Sequence, residues 1–269
     1  MLAALKSNLK QVLPDAAYQF LRVFRLRDLA ACRSFLLDGG LGLPFTARAR
    51  LLARLYAVSF GVESPHTQDE ILEYVKTILS LPRDAGGLIV EAGCFKGSST
   101  AKFSLAAEIA DKELVVFDSF RGIPPNDEPH DKSRAGGPAR FRAGQYRGSL
   151  EEVRSNVARF GRLERCRFIE GWFDDTMPAF LEPVRAAYID VDLASSTRTC
   201  LKYLYPLVVP GGVLYSQDGH LPLVVDVLDD DEFWSREVGC DKPRMIGLRE
   251  KKLVRIVKEA RSGAAARHA

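Results

Sequence analysis

The stretch Leu88-Ile89-Val90-Glu91-Ala92-Gly93-Cys94-Phe95-Lys96-Gly97-Ser98-Ser99-Thr100 constrains what this chain can fold into more than any other. Its short apolar run, bounded by a glycine turn, reads as a buried parallel strand. The turn carries Gly93 and Gly97, and a helix is predicted to begin near Ser98 to Thr100. Strand, glycine turn and helix together make a cradle for a nucleotide-like ligand. Glycine tolerates positive φ, and the helix N-terminus presents free N–H groups. The pattern is Glu-x-Gly-x-x-x-Gly rather than Gly-x-Gly-x-x-Gly. A nucleotide-linked oxidoreductase on a similar sheet is therefore the poorer reading.

The rest of the chain alternates around this stretch. Thr67-Gln68-Asp69-Glu70 is a capping box that opens a helix with Ile71, Leu72, Val75, Ile78 and Leu79 on one face. Beyond Pro82 the pattern predicts strands ending at Ala92, Asp118, Glu170, Asp190 and Ser216, with helices between them. One short helix is expected near Met177 to Leu181 and another beginning at Thr197. A C-terminal hairpin is predicted around Arg249-Glu250-Lys251-Lys252. Such alternation requires right-handed crossovers and a mostly parallel sheet covered on both faces. The predicted fold is α/β, a Rossmann-like sheet of five parallel strands plus a C-terminal hairpin, with a helical N-terminal appendage. The expected division is a helical cap at 1–66, a cofactor-binding domain at 67–260 and a disordered tail at 261–269.

Composition narrows the function classes. No apolar run approaches the roughly 20 residues of a membrane span, and the N-terminus lacks the pattern of a signal peptide. Five scattered cysteines give neither a disulfide framework nor a zinc site, so a cytoplasmic protein is expected. A net charge of +3 is too small to argue for nucleic acid. Residues 1–60 hold nine Lys and Arg against three Asp. That basic, helical region reads as a solvated face and a candidate surface for homo-oligomerisation. A non-catalytic interaction protein, with this region as its working part, is the second rival.

In an open α/β sheet, ligands bind beyond the carboxyl ends of the strands. Here those ends carry Glu91, Asp118, Glu170, Asp190 and Asp218, and carboxylates are costly to bury unpaired. Asp118, about 25 residues after Gly93, stands where an acid would accept from ribose hydroxyls. Gly171 and Trp172 follow the third strand, where an indole can stack on a purine. Asp190-Val191-Asp192 and Gln217-Asp218 would face one crevice and suit a hard divalent cation; the alternative is that Asp190 and Asp192 cap the helix beginning near Ser195. The loop from Arg121 to Gly148 is long enough to be a lid, with His130, Arg140, Arg142, Gln145 and Tyr146 as candidate substrate contacts.

The set Glu91-Ala92-Gly93-x-x-x-Gly97, Phe117-Asp118-Ser119-Phe120-Arg121-Gly122-Ile123-Pro124, Gly148-Ser149-Leu150-Glu151-Glu152-Val153, Gly171-Trp172-Phe173-Asp174-Asp175-Thr176 and Tyr188-Ile189-Asp190-Val191-Asp192-Leu193, with Tyr205-Pro206 and Pro210-Gly211-Gly212, resembles the macrocin O-methyltransferase-like family (the TylF/MycF type). The resemblance covers roughly 67–258, and the sheet it implies is that of a class I methyltransferase. It implies methyl transfer from S-adenosylmethionine to a hydroxyl of a small molecule, a sugar of a natural product, with magnesium. By resemblance Glu91, Ala92, Gly93, Cys94, Phe95, Gly97 and Ser98 hold the methionine part, Asp118 and Ser119 the ribose, and Gly171 and Trp172 the adenine, with Ser149 also facing the cofactor. Asp190, Gln217 and Asp218 match the magnesium positions, although the family has Asp-Asp where this chain has Gln217-Asp218. Asp192 is the candidate base and His220 the second choice, since an alcohol needs both a lowered pKa and a proton acceptor.

Overall fold

The computed structural model describes residues 23–259, apart from 83 and 135. The expected tail at 261–269, and the start of the helical patch expected from Ala17, lie outside the described residues. Five strands run parallel: β1 (Leu88–Ala92), β2 (Leu114–Asp118), β3 (Cys166–Glu170), β4 (Val184–Ile189) and β5 (Val208–Ser216). The hairpin strands β6 (Met245–Ile246) and β7 (Val254–Val257) close the sheet antiparallel. The order β3-β2-β1-β4-β5-β7-β6 bears out the predicted sheet. It places the topological switch between β1 and β4, where the crevice of such a sheet opens.

The helices that matter for the site are α1 (Asp28–Leu37), α2 (Phe45–Gly61), α3 (Gln68–Leu79), α4 (Ser98–Ala110), α5 (Leu150–Phe160), α6 (Phe173–Thr176), α7 (Ala194–Leu207) and α8 (Pro222–Asp229). Side chains alternate across the pleat and so build two cores. Ile89, Leu114, Val116, Ala186 and Tyr188 pack with α3, α4 and α5. Val90, Ala92, Val115, Phe117, Ala187 and Ile189 pack with α7 and α8. Cys32 and Phe35 of α1, and Leu51, Leu55 and Val58 of α2, belong to the first of these cores. The boundary expected at residue 66 therefore does not separate two cores. Gly61 shows the closeness of the fit, since a Cβ there would lie 2.1 Å from the Phe160 ring.

Two boundaries moved, each for a local reason. Helix α7 begins at Ala194, three residues before the expected Thr197, because the Glu128 carboxylate accepts from the N–H groups of Ala194 and Ser195 at 2.8 Å each. A carboxylate at a helix N-terminus satisfies free donors and meets the favourable end of the dipole. Neither Asp190 nor Asp192 caps this helix. The short helix expected near Met177 to Leu181 is instead α6, followed by a 3₁₀ turn at Met177–Ala179. Pro178 has no N–H with which to continue α6.

The ladder runs on past the strand ends. Gly93 N–H donates to Phe117 O, Asp190 N–H to Ala92 O, and Gln217 N–H to Ile189 O, at 2.8–2.9 Å. Gly93 has φ +83°, and a Cβ there would lie 2.0 Å from Asp190 O. Gly93→Ala combines a left-handed φ, costing about 1–2 kcal/mol, with overlap against backbone that cannot yield. It is expected to lose at least about 2 kcal/mol, read from the urea midpoint; an unchanged midpoint would mean that the turn relaxes freely.

Candidate functional site

A cavity of about 510 Å³ opens at the carboxyl ends of the parallel strands. The glycine turn, the loop after β2, the segment after β3, the Asp190–Asp192 segment and the β5–α8 turn all reach it. Gly93, Phe95, Asp118, Ser119, Gly171, Trp172, Asp190, Asp192, Asp218 and His220 line it. These are the expected positions that the fold brings together. Phe95, Tyr146 and Asp192 line the same cavity and each adopts positive φ, at 50°, 56° and 61°. Left-handed non-glycine residues cost energy and gather where surrounding structure holds a site in shape.

The remaining expected positions stand behind the cavity wall. Cys94 and Ser98 border a void of about 10 Å³, roughly the room for one water, beside the turn. Ser98 Oγ is buried there without a partner. Gly97 is the hinge of the turn, at φ +79°, and a Cβ on it would lie 2.9 Å from Val153. Ser149 caps α5 by accepting from Glu152 N–H at 3.1 Å. Ala92 is core, and its carbonyl holds Asp190 N–H.

Glu91 shares the face of Ile89 by strand alternation, which sends it beneath α4 rather than into the cavity. It is 0% exposed, and its Oε2 accepts from the Thr100 hydroxyl at 2.6 Å. Its Oε1 has no partner. Burial pushes this carboxyl up to about 8, against the lowering effect of the Ser99 and Thr100 hydroxyls. Asp118 holds the turn from the other side. Its Oδ2 accepts from Cys94 N–H and its Oδ1 from Phe120 N–H, both at 2.7 Å. Burial nevertheless raises Asp118 above the usual carboxylate range.

The opposite wall carries three acids. Asp190 is ion-paired with His66, whose Nε2 lies 2.7 Å from Oδ2. Burial opposes ionisation of Asp190, but the His66 charge and hydrogen bond outweigh it and hold the group below its ordinary value. Asp218 is 1% exposed; its Oδ2 accepts from the N–H groups of Val191 and Asp192 at 3.0 Å each, and its Oδ1 is buried without a partner. Burial, and then the Asp190 charge, push Asp218 up to about 7. Burial together with Asp218 and Asp190 raises Asp192 well above its ordinary value. His220 moves the other way, down to about 4, through burial and the charge of Lys252.

Gln217 is turned away from the cavity. Its carbonyl oxygen accepts from the Tyr188 hydroxyl at 2.8 Å, and its amide donates to Glu70 at 2.9 Å. Glu70 is the acid of the capping box, so the start of α3 is tied to the end of β5, and His66 just before it is tied to the end of β4. Among the described residues no three His, Cys, Asp or Glu side chains gather closely enough to hold a metal ion.

The loop after β2 is anchored over the cavity. Glu128 caps α7 and pairs with His130 at 2.8 Å, and Arg134 N–H donates to His220 O at 2.6 Å. Arg140, Gln145 and Tyr146 reach the cavity, whereas His130 is buried against Phe141. His66, Glu128 and Lys252 escaped the sequence reading. Only the capping box beginning at Thr67 offered a signal, by fixing where the residue before it must stand.

A sequence model of the family described as Macrocin-O-methyltransferase (TylF) matches residues 69–230. The mycinamicin III 3''-O-methyltransferase of Micromonospora griseorubida is 33% identical over 150 residues, which are 51% of this chain and 56% of that protein. This chain thus spans little more than half the length of that relative. The 8-demethyl-8-(2,3-dimethoxy-alpha-L-rhamnosyl)-tetracenomycin-C 4'-O-methyltransferase of Streptomyces olivaceus is 30% identical over 236 residues, covering 82% of each chain. The solved structure of the O-methyltransferase NovP superposes with a TM-score of 0.53 at 25% identity, over 78% of this chain and 80% of that one.

Glu91 supplies a test of the site's electrostatics. Its folded pKa lies above the unfolded one, so the folded state keeps a proton that the unfolded state has released. Its contribution to stability is therefore present below about pH 4.5 and lost as pH rises through about 8. Glu91→Gln removes that dependence. Its urea stability relative to the parent protein is expected to rise by at least about 1 kcal/mol between pH 5 and pH 8. An equal difference at both pH values would show that the acid is ionised throughout.

Proposed function

The chain belongs to the macrocin O-methyltransferase family, and on that premise we propose that it transfers a methyl group from S-adenosylmethionine to a hydroxyl of a small molecule. The acceptor class proposed is a sugar carried by a natural product, since the tetracenomycin relative is named for a rhamnosyl-bearing substrate. One observation carries the reading: the glycine turn and the three acids of the opposite wall face a single cavity. One end is made for a nucleoside and the other for proton transfer.

The cofactor would supply an electrophilic methyl on a sulfonium, which leaves with its bonding electrons retained by sulfur as the acceptor oxygen takes the carbon. The protein's residues do the rest. Trp172 offers an indole face for the adenine. Gly93 and Phe95 present turn backbone to the methionyl part of the cofactor. Asp118, whose two oxygens already hold the turn, keeps further lone pairs for ribose hydroxyls. Asp192 takes the acceptor proton. Burial beside Asp218 and Asp190 raises it above its ordinary value, which makes it a stronger base than a free carboxylate. His220, neutral above about pH 4, is the second choice. Orienting acceptor and methyl within one cavity supplies much of the rate.

Magnesium fits this donor set poorly. Gln217 points its carbonyl at Tyr188 and Asp190 is already paired with His66, whereas Asp218 keeps its Oδ1 buried without a partner. No step here runs through a divalent ion.

Calorimetry and cofactor turnover test the reading. S-Adenosylhomocysteine is expected to bind and NAD is not, and Trp172→Ala is expected to weaken binding by about tenfold or more. In a turnover screen against sugars and phenols, Asp192→Asn is expected to lower kcat by at least about 100-fold. It should leave S-adenosylhomocysteine affinity nearly unchanged. Absence of any cofactor binding would leave the rival of a non-catalytic interaction protein standing.

A further inference from the structure

The acids of the cavity wall outnumber the cations in contact with them. Asp190 has a partner in His66, whose Nε2 lies 2.7 Å from its Oδ2. Asp192 and Asp218 face the same space with no contacting cation among the described residues, and Asp218 Oδ1 is buried, unpartnered and part of a side chain that lines the cavity. A buried carboxylate oxygen without a donor is costly, so the site is built to receive positive charge or a hydrogen-bond donor.

One lysine stands within reach. Lys252 lines the cavity and its charge acts on Asp190, Asp192, Asp218 and His220 together. Its place is built into the fold. Gly219 N–H donates to the Lys252 carbonyl at 2.9 Å, and a Cβ on Gly219 would lie 2.5 Å from Val254 and 2.6 Å from Lys251 O. Only a glycine lets the hairpin segment before β7 close against the Asp218–His220 turn, which brings the lysine to the acids. A long, flexible ammonium with three donors can move between these oxygens and a bound ligand.

We propose that the Lys252 ammonium is the working cation of this centre, occupying the charge role that a divalent ion would otherwise fill. This rests on the methyl-transfer reading. Lys252 donates a hydrogen bond to the acceptor oxygen and so favours its deprotonation, and the proton passes to the Asp192 carboxylate. The oxygen lone pair then forms the bond to the methyl carbon, the carbon–sulfur bond breaks toward sulfur, and the proton on Asp192 leaves to solvent. No oxidant or further reactant is needed. The neutral Gln217, locked between Tyr188 and Glu70, belongs to the same arrangement, since a second acid there would raise the demand for charge beyond one ammonium.

The test titrates Mn²⁺ alone into the full chain, followed by electron paramagnetic resonance, in the parent protein, Lys252→Met and Lys252→Arg. The ammonium and the ion compete for the same carboxylates. Lys252→Met is therefore expected to bind Mn²⁺ at least about tenfold more tightly than the parent, equivalent to about 1.4 kcal/mol, while Lys252→Arg stays near the parent. Equal Mn²⁺ affinity in the parent and Lys252→Met overturns the proposal, as does parent affinity in the low micromolar range. With an acceptor from the turnover screen, parent turnover is expected to survive a chelator and Lys252→Met turnover to fall by about 100-fold or more. Loss of parent turnover in chelator, restored by Mg²⁺, also overturns it. The Mn²⁺ titration does not depend on methyl transfer. S-Adenosylhomocysteine calorimetry on all three proteins shows separately whether the underlying reading fails and whether each variant keeps its fold.

Discussion

The α-carbon of Gly93 packs against the carbonyl oxygen of Asp190 so closely that no side chain could stand between them. This contact joins the ends of β1 and β4 at the topological switch of the sheet. From it follow the left-handed turn, the direction in which α4 leaves, and the placement of Asp190 and Asp192 across from the turn. Phe117 O and Ala92 O extend the ladder to Gly93 and Asp190. The cavity floor is thus hydrogen-bonded backbone rather than loosely packed side chains. A site that must align two reactants gains from such a floor, because small displacements of a reacting group cost rate.

Charge is the second organising constraint. Burial alone would neutralise most of the acids at the strand ends, and the structure assigns each a different compensation. Asp118 takes two backbone N–H groups, Asp190 takes His66, and Asp218 takes two N–H groups on one oxygen and none on the other. Glu91 has only the Ser99 and Thr100 hydroxyls beside it and becomes a weak acid beneath the cofactor turn. The uncompensated remainder collects on the wall where an acceptor would bind. A ligand bearing a sulfonium or a hydroxyl donor would find its counterpart there.

The N-terminal helices take part in this arrangement. Phe35, Leu55 and Val58 complete the core on the α3–α4 face, and the segment leading out of α2 delivers His66 to Asp190. The capping box at Thr67 sets the start of α3, and its Glu70 also accepts from Gln217. One local helix signal therefore positions two contacts with the ends of β4 and β5. The loop after β2 does comparable work through Glu128, which caps α7 and leaves Asp192 free to face the cavity.

The sequence by itself determined the sheet, since short continuous apolar runs separated by helical patterns admit few right-handed, doubly covered arrangements. It also determined the glycine turn and most of the residues that meet at the cavity, because strand ends converge whatever the helices do. Strand parity even contained the fate of Glu91, which alternates with Val90 and so had to share the side of Ile89. What only the tertiary structure decided was every contact made between distant segments. His66 meets Asp190 across 124 positions of sequence. Gln217 turns to Tyr188 and Glu70 instead of the cavity, and Lys252 arrives on a hairpin that Gly219 allows to close. None of these leaves a periodic or local mark. A side chain's partner across the sheet depends on how helices and loops pack, which is a property of the whole fold.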